Sequence, residues 1–90
     1  MNMKSLRKIV KHAIEEYHEY RSDTDLRVLS MDEKSFKIAF SGEFCHICGV
    51  ANDYQLVQYF LEGEGVNADV TKVTNFDDGF VADFNVVKQE

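Results

Sequence analysis

The spacing of apolar residues in this chain switches three times, and each switch marks a change of local structure. Leu6, Ile9, Val10, Ala13, Ile14 and Tyr17 recur at helical intervals, and Leu26 to Ser41 then carry apolar side chains at alternate positions. Tyr54, Val57, Phe60 and Leu61 return to the helical spacing, and Val66 to Val86 alternate again. A 3.6-residue period buries one stripe of a helix and a 2-residue period buries one face of a strand. The chain therefore reads as helix, hairpin, helix, hairpin.

Local chemistry gives these elements expected ends. The first helix should run from about Asn2 to Tyr20, with Asn2 as N-cap. Asp32-Glu33-Lys34 separates the strands of the first hairpin. Asn52-Asp53-Tyr54-Gln55 has the form of a capping box opening the second helix, and Gly63-Glu64-Gly65 should end it. The second hairpin turns near Asp77-Asp78-Gly79, where Gly79 is expected to supply a positive φ. The result is a single α+β domain over residues 1–90, in αββαββ order. Its two halves, about 2–42 and 50–88, are joined by the Cys45–Gly49 loop. Two helices on one face of a four-stranded antiparallel sheet would bury every stripe. Moving the first strand of a βαββαβ ferredoxin-like chain to its end gives this element order and a strand order of 3-4-2-1.

Simple alternation places Leu29, Met31, Ala39, Val73, Val81 and Val87 on the other sheet face, among Arg27, Lys37, Asp69, Asp83 and Asn85. A half-apolar open face implies a partner surface, and a homodimer is the simplest expectation.

Ninety residues with 44% hydrophobic content can close a core without a disulfide or metal staple. No run approaches the roughly 18 apolar residues that a membrane span needs, which leaves the cytosol as the expected setting. The net charge of −6 is divided unevenly. Residues 1–42 hold eight Lys/Arg against seven Asp/Glu, whereas 43–90 hold Lys72 and Lys88 against nine acids. That acidic half would repel a phosphate backbone and argues against nucleic-acid binding. Lys4, Arg7, Lys8 and Lys11 form one basic face on the first helix, opposite its apolar stripe. It suits solvent, or an acidic protein partner.

Phe44-Cys45-His46-Ile47-Cys48-Gly49 contains both cysteines and is the segment that reads most clearly as chemistry. Three readings apply. Cys45 and Cys48 are first of all small, readily buried side chains that suit a strand-helix connection. Their x₂ spacing also lets both sulfurs hold one zinc ion, with His46 beside them, but that is half of a four-ligand site. The missing ligands would come from His12, His18, a carboxylate or a second chain. The third reading is a redox pair ahead of a helix. It lacks the cis-proline of thioredoxin-like enzymes, for the chain has no proline. His12 and His18 fall on the expected solvent side of the first helix.

No phosphate-cradling glycine loop, nucleophile elbow or HExxH pair is present, so catalysis is not the expected activity. The residues point to a small binding or assembly domain. A zinc or thiol-redox protein working through Cys45 and Cys48 is the alternative, followed by an adaptor using the basic helix.

Overall fold

The computed structural model describes residues 3–20, 24–42, 51–76 and 79–89. Helix α1 spans Met3–Tyr20, strands β1 and β2 span Thr24–Met31 and Ser35–Gly42, helix α2 spans Ala51–Gly63, and strands β3 and β4 span Val66–Phe76 and Gly79–Gln89. The four strands form one antiparallel sheet in the order β1-β2-β4-β3, with both helices packed on one face. That is the αββαββ architecture expected from the periodicities, and the strand order is the expected 3-4-2-1 read from the other edge.

The core forms where the stripes meet. Leu6, Val10, Ala13 and Tyr17 of α1 and Val57 and Leu61 of α2 are fully buried. Facing them, Phe36, Ile38 and Phe40 of β2 lie opposite Phe84, Ala82 and Phe80 of β4. Four large rings from the two central strands fill the middle of the sheet, and the small Ala82 leaves room between them. At about 25 cal/mol per Å² of apolar area, rings of this size are the largest hydrophobic contributions in the domain. Gln58 of α2 ties the second helix down by donating to the Ala68 carbonyl at 2.7 Å.

Three β-bulges alter the sheet faces that strict alternation assigns. Leu29 has no partner across β1 and β2, so Val28 faces Ile38 but Met31 faces Phe36. Thr71 and Val87 are the corresponding extra residues in the β3·β4 pair. An inserted residue reverses the in-out parity of everything beyond it. Met31 and Val73, expected on the open face, consequently turn toward the helices and pack against the core. What remains on the open face is mostly polar, including the Lys37–Asp83 ion pair at 4.0 Å. Its apolar members are Ala39, Val81 and the 42% exposed Phe76, flanked by the bulged Leu29 and Val87. Of the six apolar residues expected there, Met31 and Val73 are the two that leave this face.

Two local expectations also change. α2 starts at Ala51, which puts Asn52 and Asp53 in its first turn and not at the cap. Gly79 does not take a positive φ; among the described residues the positive-φ glycines are Gly42 and Gly65. Gly79 is required for a different reason, since a Cβ at this position would lie 1.8 Å from the Phe40 carbonyl oxygen. Gly65, at φ 84°, turns the chain out of α2 into β3.

Candidate functional site

The sheet order leaves β1 as an outer strand, and α1 lies over it. Between them runs a groove of about 590 Å³. It exists because α1 tips its fully buried stripe toward the centre of the sheet and leaves Ile14 only half-buried at the margin. The floor comes from Ile14, Leu26, Val28 and Met31; Val28 is 38% exposed although it faces the helix side of the sheet. The bulged Leu29, 52% exposed, stands at the outer edge. Arg7, Lys11 and Glu15 of α1 and Arg27 of β1 form the rim.

The structure thus joins half of the basic face to an apolar channel. Arg7 and Lys11 line the groove, while Lys4 and Lys8 are exposed farther round the same helix. Among the described residues neither Arg7 nor Lys11 has an ion-pair partner, and Arg27 meets only the exposed Asp25 at 4.0 Å. A short apolar channel with unneutralised cations on its rim is suited to hold apolar side chains from a chain that also carries acids. Among the described residues no strand pairs with the outer edge of β1 beside it.

A second convergence lies at the junction of α1 with the end of α2. His12 Nδ1 is hydrogen-bonded to the Glu64 carboxylate and lies 3.4 Å from Glu16 Oε1. His12 and Glu16 share a helix face because they are four residues apart. Glu64 reaches them because the Gly65 turn sets it just beyond the last turn of α2, with its N–H bonded to the Leu61 carbonyl at 3.0 Å. The Glu64 hydrogen bond and charge raise the pKa of His12 above the ordinary 6.5, outweighing the opposing effect of desolvation, and Glu16 and Glu15 add lesser contributions in the same direction. His18, expected on the solvent side, is half-buried with its ring edge-on to Tyr17.

Cys45, His46 and Cys48 lie outside the described residues. Among the described residues no helix is long and apolar enough to cross a membrane. Comparison with protein-family models, characterised proteins and solved structures finds no match to this chain.

Two of these features were hidden in the sequence for different reasons. The groove depends on the Leu29 bulge and on where α1 settles across the sheet, which periodicity does not specify. The Glu64 contact depends on tertiary packing between residues 52 positions apart. The signal available for the second was the His12–Glu16 spacing on one helix face.

Proposed function

We propose that this protein is a small binding domain that captures an extended, acidic segment of a partner protein in the groove between α1 and β1. The carrying observation is that Val28 and Leu29 are exposed on an outer strand in one groove with Arg7 and Lys11, neither of which has an ion-pair partner among the described residues. The segment adds to the β1 edge through its backbone, places alternate apolar side chains over Ile14 and Val28, and sets its acids against the basic rim. From Leu26 to Met31 the strand offers about 17 Å, enough for five or six residues of an extended partner. Lys4 and Lys8 would steer an acidic chain toward the groove without touching it.

The same charges bear on self-association. A twofold contact through this groove would oppose Arg7, Lys11 and Arg27 to their own copies, which favours a different, acidic chain over a second copy. The reading includes a cytosolic setting.

The test uses a synthetic eight-residue peptide alternating Glu with Val, titrated into isotopically labelled protein. Amide shifts should concentrate at Leu26–Met31 and along α1 from Arg7 to Glu15. Replacing the glutamates of the peptide by lysine, or making Arg7→Glu with Lys11→Glu, should weaken binding at least tenfold, the loss expected for reversing rim charges. Shifts on another face, or equal affinity after charge reversal, would sink this reading; concentration-dependent dimerisation that protects the same residues would replace the partner with a second copy.

The zinc or thiol-redox alternative rests on the Cys45–Cys48 spacing itself. Elemental analysis of protein purified without added metal should then find close to one zinc per chain, or one per two chains for a shared site. Loss of that zinc in a Cys45→Ser/Cys48→Ser variant would assign it to the thiols.

A further inference from the structure

Two carboxylates and an imidazole from separate helices converge at the surface where α1 meets the end of α2. One ligand-type atom each from His12, Glu16 and Glu64 lies within 4.8 Å of the others. Atoms bound to a single zinc-sized ion at about 2.0–2.2 Å stand about 3–4 Å apart, so small rotations of two glutamate side chains would complete that geometry. We propose that His12, Glu16 and Glu64 form a binding site for a divalent first-row transition metal ion, separate from the α1–β1 groove.

The donor set defines the class of ion. Two carboxylates balance the charge of a divalent cation while a neutral imidazole adds a nitrogen donor, a combination that suits zinc or manganese better than calcium or magnesium. The backbone supports the same assignment. Glu64 follows the C-terminal end of α2, whose dipole favours positive charge, and the Gly65 turn holds its main chain in place. Beside the three residues lies a pocket of about 580 Å³ bordered by Glu16, Tyr20, Tyr59 and Glu64. It gives water access to the remaining coordination positions, so the ion would be held by three protein ligands and solvent.

His12 cannot hold a proton and a metal on Nδ1 together, so that nitrogen would bind the ion in its unprotonated form. A simple charge clamp between a protonated histidine and two glutamates would bind no ion at any pH.

The decisive experiment uses the natural full chain and manganese, whose preference for oxygen and nitrogen over thiolate keeps the cysteines out of the measurement. Substoichiometric Mn²⁺ should broaden the His12 imidazole resonances well before those of His18 and His46, and Glu64→Gln should abolish that selectivity. Calorimetric titration of the Cys45→Ser/Cys48→Ser variant with Zn²⁺ should show one saturable equivalent, weakened at least tenfold by either His12→Gln or Glu64→Gln. Circular dichroism establishes that each variant is folded. Equal broadening of the three histidines, no broadening at about millimolar Mn²⁺, or zinc affinity unchanged in Glu64→Gln would overturn the proposal. Should the cysteine variant fail to fold, the manganese measurement on the natural chain decides alone.

Discussion

Phe36 of β2 and Phe84 of β4 stand directly opposite each other, their rings stacked with centroids 4.9 Å apart and planes 10° from parallel. Four residues along the same strands Phe40 and Phe80 repeat the arrangement at 4.4 Å and 11°. Ile38 and Ala82 sit between the two pairs, so large and small side chains alternate and the rings meet the helices without a gap. Truncating Phe84 to alanine should cost about 3–5 kcal/mol, the usual range for emptying a buried aromatic site. Chemical denaturation would read this directly. Ala82→Leu should also destabilise, by about 1–3 kcal/mol, because Ala82 is fully buried between the ring pairs and a larger side chain would overpack that position.

Two glycines give opposite expectations from the same substitution. Gly79→Ala would drive a methyl group into the Phe40 carbonyl, and separation of β2 from β4 at that end should cost about 1–3 kcal/mol or more. At Gly63, near the end of α2, a Cβ meets nothing within 4 Å and the backbone is helical. Gly63→Ala should therefore raise stability by about 0.4–1 kcal/mol, through a less flexible unfolded chain. Thermal melts of the two variants should move in opposite directions.

The bulge at Leu29 is tested by two neighbouring substitutions. With the bulge, Met31 faces Phe36 and Ser30 faces Lys37 on the open side. Met31→Asp should then destabilise by about 1–3 kcal/mol, through burial of a poorly satisfied carboxylate. Ser30→Asp should change stability by less than about 0.5 kcal/mol. Uninterrupted alternation predicts the reverse ranking.

The His12–Glu64 contact makes a small part of the stability dependent on pH. His12 titrates above its ordinary value of 6.5 in the folded chain, so folding takes up a proton between the unfolded and the folded pKa. The contribution is fully present below about pH 6.5 and is lost as pH rises through the raised value. Metal-free protein kept in chelator should lose this increment over that window, and Glu64→Gln should flatten the profile. Resonances of the His12 ring, followed against pH, should give a midpoint above that of Glu64→Gln.

The helices and both hairpins follow from spacing because each element buries one face, and burial leaves a period in the sequence; the strand order comes from the permuted ferredoxin-like arrangement and not from spacing. Alternation failed at Leu29, Thr71 and Val87, since an unpaired residue changes parity without any distinctive composition of its own. Met31 and Val73 were misplaced for that reason alone. Gly79 was recognised as necessary, but its constraint comes from a carbonyl on another strand and not from its own φ. At the sites, the basic face of Lys4, Arg7, Lys8 and Lys11 was legible from helical geometry. The groove beneath Arg7 and Lys11 was not, because it depends on how far α1 extends over β1. The meeting of His12 with Glu64 was equally out of reach, being a product of helix packing.

The order β1-β2-β4-β3 places one strand from each half of the chain at the centre of the sheet. Each hairpin closes over a short turn, whereas the regular, bulge-free β2·β4 ladder brings together distant stretches of chain and carries both aromatic pairs. Closing that ladder carries a larger loop-closure entropy than either hairpin, and it also covers the phenylalanines. Neither half presents a sealed core by itself. Two separately produced halves would each offer an open β edge lined with rings, and their natural remedy is to find one another, which makes this small domain a candidate for reconstitution from fragments.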